Sequence, residues 1–121
     1  MTISNNDLRK AQLLMLKILK EVHKICEENN IKYFLSDGTL IGAIRHQGFI
    51  PWDDDIDIGM LRYDYDKFIE VCKSEIDPQK FFLQIPETDS KSADFEIARL
   101  RLNNTKIVQE HRKNLKTHEG F

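Results

Sequence analysis

No apolar run in this sequence approaches the roughly 20 residues that a membrane helix needs. The amino end MTISNNDLRK also lacks the basic start and apolar block of a secretory signal. A surplus of positive charge is missing too. The chain has 18 Lys and Arg against 20 Asp and Glu, for a formal net charge of −2. The basic residues are spread along it rather than gathered into a stripe, which argues against nucleic acid as a partner. Cysteine is scarce. Cys26 and Cys72 each sit in a helix-like, partly apolar stretch, with no second Cys or His at metal-ligand spacing, so both read as reduced core thiols. That usage suits a reducing compartment. Repeats and low-complexity runs are absent. What remains is a cytoplasmic, soluble protein: 121 residues, 40% apolar and 31% charged, enough for a single domain with a modest core.

Hydrophobic periodicity predicts a long helix over residues 6–29, where Leu8, Ala11, Met15, Ile18, Val22 and Ile25 make one stripe. Asn6 or Asp7 suits its start and Asn29-Asn30 its stop. IKYFLSD (31–37) reads as a buried strand broken by Gly38, and TLIGAIRHQG (39–48) as a short helix ended by Gly48. Residues 55–61 read as a second strand, followed by a helix from a capping Asp64 to about Glu75, closed by Asp77-Pro78. FFLQIPE (81–87) and FEIARLRL (95–102) are further strands, the latter with a slip or bulge near Ala98. Asn103-Asn104 is a turn, and TKIVQE (105–110) the return strand of a hairpin. The order of elements predicts an α+β domain with a mixed sheet flanked by helices.

The chemistry concentrates in PWDDDIDIG, which puts four aspartates among the five residues 53–57. Residues two apart on a strand share a face, so Asp55 and Asp57 would point together, with Cα atoms roughly 6.5–7 Å apart. Ile56 and Ile58 would anchor the other face. Hard divalent cations take oxygen ligands and keep part of their shell for water and substrate phosphate, so this pair could hold one or two of them. Three other readings compete. A solvated acidic turn is opposed by Trp52 and the isoleucines. An EF-hand fits at Asp53, Asp55 and Asp57, but Ile58 stands where glycine is needed and Asp64 where a glutamate belongs. A paired-carboxylate hydrolase remains open, because Asp-x-Asp alone names no reaction. Upstream, Ser36-Asp37-Gly38-Thr39 forms a strand–glycine–helix junction. Its glycine admits close backbone approach, and its helix start offers N–H groups suited to phosphate. The same junction also occurs as a plain helix cap.

Taken together, a strand, a Gly-Thr helix start and an Asp-x-Asp strand resemble the nucleotidyltransferase fold of the DNA polymerase β type. The segment FLSDGTLIGAIRHQGFIPWDDDIDIGM (34–60) is more specific still. It resembles the signature of the LicD family, which fukutin-type proteins share: S-x-G-T-L-L-G-x-x-R-x-x-G-x-I-P-W-D-D-D-x-D. Ser36, Gly38, Thr39, Leu40, Gly42, Arg45, Gly48, Ile50, Pro51, Trp52, Asp53, Asp54, Asp55 and Asp57 meet it, with Ile41 in place of a leucine. Tyr63-Asp64-Tyr65-Asp66-Lys67-Phe68 resembles the helix that follows, and the likeness runs over about residues 8–121.

The resemblance implies a metal-dependent enzyme that transfers phosphocholine from CDP-choline to a hydroxyl of a cell-surface glycan, teichoic acid or lipopolysaccharide. Fukutin-type relatives imply CDP-ribitol as an alternative donor. On this reading Mg²⁺ or Mn²⁺ is held by Asp55 and Asp57, with Asp53 next and Asp54 beside it. Ser36, Gly38, Thr39, Arg45 and Trp52 bind substrate, and Asp37 serves as base or orienting group. Trp52 is either a packing wedge or an aromatic face for a quaternary ammonium. In the family a later strand of the form I-D-[IV]-F-P-L-D brings a third carboxylate, and it is absent from these 121 residues. The expectation is therefore the amino-terminal part of a longer domain, inactive by itself. It would lack the third ligand and the acceptor region, and its unfilled sheet edge would invite self-association. A non-catalytic nucleotide- or metal-binding module is the contrasting expectation.

Overall fold

The computed structural model describes residues 5–89, 97–106 and 120–121. The chain forms two compact units, residues 1–75 and 76–121. Helices and small antiparallel sheets make it α+β. Among the described residues both sheets have two antiparallel strands, so the mixed sheet expected from the order of elements is not seen there.

In the first unit, helix α1 spans Asn5–Asn29 and helix α3 spans Arg62–Glu75. The apolar stripe of α1 folds as its spacing dictates: Met15, Val22, Ile25 and Cys26 are buried, as are Phe68, Ile69 and Cys72 of α3, and the two helices pack together. The stop of α1 is a Schellman ending. Asn30 takes a left-handed φ of 54°, the N–H of Ile31 donates to the Cys26 carbonyl at 2.9 Å, and both flanking side chains are buried. Asn29 donates to the Ile25 carbonyl at 2.8 Å and to the Glu75 carboxylate, tying the ends of α1 and α3. Asp64 lies in the first turn of α3 rather than capping it, and its Oδ1 accepts the Lys32 N–H at 3.3 Å.

Two strands are much shorter than expected. β1 is Phe34–Leu35 and β2 is Ile58–Gly59, paired Phe34 to Gly59 and Leu35 to Ile58. The aspartates thus precede the strand and do not lie on it. Unscreened carboxylates in succession resist a ladder, and only Ile58-Gly59 supplies a run that pairs. Helix α2 spans Asp37–Arg45 with Ser36 as N-cap, so Gly38 is inside its first turn and does not precede it. Gln47 (φ 53°), not Gly48, takes the left-handed conformation after α2.

In the second unit, β3 (Phe81–Gln84) pairs antiparallel with β4 (Arg99–Leu102), Phe81 opposite Leu102. Phe81, Leu83 and Ile85 are buried. On the other face of β3, buried Gln84 accepts from Arg101 Nε at 2.9 Å, and Arg101 also donates to the Gly120 carbonyl at 2.5 Å. β4 starts only at Arg99 and pairs in unbroken register, with Ile97 exposed; the described residues show no bulge near Ala98, and residues 95–96 of the expected strand lie outside them. Asn103-Asn104 is a turn, and Asn104 has φ 61°. Thr105 and Lys106 are not in a strand; the rest of the proposed return strand, 107–110, lies outside the described residues, as does Phe95. No helix among the described residues is long and apolar enough to cross a membrane.

Candidate metal centre and phosphate turn

The aspartate loop is built by a turn. Pro51 fixes its own φ near the value that the second residue of a β-turn needs. The Asp53 N–H then closes the turn on the Ile50 carbonyl at 2.9 Å. From α1, the buried side chain of Gln12 reaches the same loop: its Nε2 donates to the carbonyl of Asp53 at 2.9 Å and also faces those of Ile50 and Pro51 at 3.3 and 3.4 Å. α2 fits closely underneath. A Cβ on Gly42 would run into the Gly48 carbonyl and come within 2.9 Å of the Ile50 nitrogen.

Beyond the turn, carboxylate oxygens of Asp53, Asp54 and Asp55 lie within 4.8 Å of one another. Asp53 is the most enclosed of the three. Its Oδ1 accepts the Asp54 N–H at 3.1 Å, while Oδ2 is buried without a hydrogen-bond partner. Asp55 is pushed up from 3.8 to about 6, first by burial, then by the charge of Asp57, then by its hydrogen bond with Asp53 and the charges of Asp53 and Asp54. This donor set suits a hard divalent ion. Oxygens on opposite sides of Mg²⁺ are about 4.2 Å apart, twice the ~2.1 Å bond. Adjacent oxygens around it are about 3.0 Å apart, so the three carboxylates, now within 4.8 Å of one another, would converge on one ion by rotation of their side chains. An orphaned buried oxygen and a carboxyl group that resists ionisation are both what a cation would relieve.

The turn at residues 36–39 adjoins this cluster. A Cβ on Gly38 would sit 2.7 Å from Asp53 Oδ2, so the missing side chain is what admits the carboxylate. Ser36 makes no side-chain cap to α2, leaving the first N–H groups of the helix to outside partners. Asp37 adopts a left-handed φ of 51°, which aspartate tolerates better than most residues. Two hydrogen bonds bind the Asp57 backbone to this turn: the Ser36 N–H donates to the Asp57 carbonyl at 3.1 Å, and the Asp57 N–H donates to Thr39 Oγ1 at 2.9 Å.

The structure thus brings Ser36, Gly38, Thr39, Asp53, Asp55 and Asp57 together, with Asp54 completing the trio of close carboxylates; Asp57 is not one of that trio. Arg45 is not drawn in. It is exposed at the far end of α2, about 12 Å along the axis from Asp37. Trp52 is not a wedge: it is 75% exposed, with its ring edge-on to His46 at 6.3 Å. The buried thiols stay out of the chemistry, since burial pushes Cys26 up to about 11 and Cys72 up to about 12. Sequence reasoning missed Gln12. Its signal is a polar residue one position from Ala11, inside the apolar stripe.

The chain is thus α+β, with an acidic loop set against the start of a helix. It matches the family LicD/FKTN/FKRP, nucleotidyltransferase domain, over residues 30–118 and belongs to that family. It is 58% identical over 68 residues to the lipopolysaccharide cholinephosphotransferase LicD of Haemophilus influenzae, covering 56% of this chain and 26% of that protein. An uncharacterized protein of Rickettsia prowazekii is 40% identical over 90 residues, 74% of this chain and 31% of that protein. Human ribitol 5-phosphate transferase FKRP is 38% identical over 53 residues, 40% of this chain and 11% of that protein. The chain spans about a third or less of the length of these relatives.

Proposed function

We propose that this chain carries the metal and nucleotide face of a phosphoryl transferase that moves phosphocholine from CDP-choline to a hydroxyl of a cell-surface glycan. The observation that carries the reading is the abutment of the Asp53–Asp54–Asp55 cluster on the start of α2. A donor phosphate at that helix start would share it with the Asp53 carboxylate, and the two negative groups repel unless a cation lies between them. Asp53, Asp54 and Asp55 would hold Mg²⁺ or Mn²⁺, with Asp57 beside them. Bound there, the ion supplies charge neutralisation to the pyrophosphate and to the leaving CMP. The N–H groups after Ser36 would orient the phosphates, Gly38 keeps that approach open, and Asp37 stands where it could take the acceptor proton. The exposed ring of Trp52 offers a quaternary ammonium a π-face. The name of the FKRP relative, ribitol 5-phosphate transferase, supports ribitol 5-phosphate as a second group to be transferred.

The test is titration of CDP-choline into the chain with and without Mn²⁺, followed by ³¹P NMR with a glycan acceptor. Metal-dependent binding supports the site, and release of CMP with a new phosphodiester supports transfer. Binding without turnover assigns the chain a nucleotide-binding role alone. Nucleotide binding that is absent, or indifferent to metal, removes the reading.

A further inference from the structure

We infer that Gln12 is a positioning residue that sets the spacing of the three carboxylates by holding the backbone of the loop that carries them; the metal part of this inference rests on the function proposed above. Gln12 belongs to α1, ahead of the family match that begins at residue 30. It is 2% exposed and among the largest fully buried side chains. A glutamine in a helical apolar stripe has no packing advantage over leucine or methionine, and burying its amide is costly unless the amide is satisfied. Here it is. Nε2 faces three carbonyl oxygens, of Ile50, Pro51 and Asp53, and Oε1 accepts from Arg9 Nη1 at 3.1 Å. That environment fixes the amide orientation, since only an NH₂ group can meet three acceptors.

The acceptors are the point of the arrangement. Residues 50–57 have no strand or helix of their own, so their carbonyls depend on donors from elsewhere. Asp53 takes its carbonyl bond from Gln12 and gives its N–H to the turn, so both backbone groups of the first carboxylate residue are held. Its side chain is thereby aimed past Gly38, and Asp54 and Asp55 follow in sequence. Removing Gln12 would leave the helices packed but free the turn, letting the mutually repelling carboxylates separate.

The experiment compares wild type with Gln12→Met, which keeps length and burial without donors, and with Val22→Ala, a core truncation in α1 remote in sequence from Gln12. Two readouts are taken: amide exchange of Asp53, whose N–H closes the turn, in EDTA; and Mn²⁺ affinity by electron paramagnetic resonance. For Gln12→Met the expected results are faster exchange at Asp53 relative to the α1 core amides and an affinity for Mn²⁺ lower by about tenfold or more. Val22→Ala should lower global stability while leaving Mn²⁺ affinity unchanged. If Gln12→Met loses stability but keeps wild-type exchange at Asp53 and wild-type affinity, the residue is only structural and the inference is overturned. Absence of Mn²⁺ binding in the wild type would remove the metal reading. The exchange of Asp53 would then still decide whether Gln12 holds the loop.

Discussion

Two glycines four residues apart on α2 should respond to the same substitution in opposite ways. At Gly38 an added methyl would lie 2.7 Å from Asp53 Oδ2 and 3.5 Å from its Cγ. What it meets is the end of a side chain, and a carboxylate can rotate away. The φ of Gly38 is not left-handed, so alanine adds no backbone strain and gains up to about 1 kcal/mol of helix propensity. Against this stands the Asp54 N–H bond to Asp53 Oδ1, worth about 0.5–1.5 kcal/mol, which is lost if the carboxylate swings out. The net change in stability for Gly38→Ala is within about 1 kcal/mol of zero by these terms. At Gly42 the methyl meets backbone, the Gly48 carbonyl and the Ile50 nitrogen, and backbone yields only if the loop moves. Overpacking of this kind costs about 1–3 kcal/mol, and the propensity gain offsets only part of it. Gly42→Ala should therefore be clearly destabilised. The assay is urea unfolding in EDTA for stability, paired with Mn²⁺ titration. Gly38→Ala should keep its midpoint while losing most of its metal affinity, because the most enclosed carboxylate has been pushed out of the cluster. If Gly38→Ala binds Mn²⁺ like wild type, Asp53 is not a ligand. If it instead unfolds as readily as Gly42→Ala, the contact with Asp53 is structural and the reasoning fails.

Asp55→Asn and Asp57→Asn should leave melting in EDTA unchanged or slightly raised, since each removes repulsion. Strong destabilisation of either would reveal a structural partner and remove its assignment to metal. Asp55 is raised from 3.8 to about 6, so the folded chain binds a proton more readily than the unfolded one; in EDTA its contribution to stability should be largest below about pH 4, fall as pH rises to about 6, and level off above. The difference in urea midpoint between wild type and Asp55→Asn across that range isolates it, and a contribution that rises with pH would contradict the sign. Trp52→Leu should weaken CDP-choline more than CDP-ribitol, by the ~0.5–2 kcal/mol of a cation–π contact; equal loss measured by calorimetry would remove the aromatic-face idea. Thr39→Val should cost about 1–3 kcal/mol by leaving the Asp57 N–H without its acceptor, with Thr39→Ser restoring it. Full stability in Thr39→Val, measured by urea, would show that the hydroxyl does not clamp Asp57.

Periodicity carried the helices well, because their stripes face a core that rewards them: Met15, Val22 and Ile25 on α1, Phe68, Ile69 and Cys72 on α3. The strands were harder. IKYFLSD has strand composition, yet Phe34 is 54% exposed and only Phe34–Leu35 pairs. A strand needs a partner of matching length, and its partner segment begins with carboxylates. The composition of one segment cannot report that. That Gly38 and Thr39 lie beside the aspartates was legible in their spacing. Their geometry was not, since the alternation of Asp55, Ile56, Asp57 and Ile58 mimics a strand pattern while Pro51 and the turn at Ile50–Asp53 set the actual path. Gln12 was illegible because one polar residue in an apolar helical face gives no sign of what it touches 38 to 41 residues away.

The difference between a strand and a turn changes what the acidic run can do. On a strand, Asp55 and Asp57 would stand on one face while Asp54 and Ile56 faced the other way, and the ligand set would be a pair. Because the strand begins only at Ile58, three consecutive carboxylates can converge, which a pleated backbone forbids. The cost is burial and then repulsion of the carboxylates, which together raise Asp55, and loss of ladder hydrogen bonds. The β1–β2 register continues for one more bond, from the Ser36 N–H to the Asp57 carbonyl, and beyond it other elements supply partners: Thr39 takes the Asp57 N–H and Gln12 the Asp53 carbonyl. The acidic loop is therefore held at both ends, by α1 at Asp53 and by the start of α2 at Asp57, with the repelling carboxylates between. The second clamp is the start of α2: Ser36 and Thr39 bind the backbone of Asp57, the residue whose charge most affects Asp55.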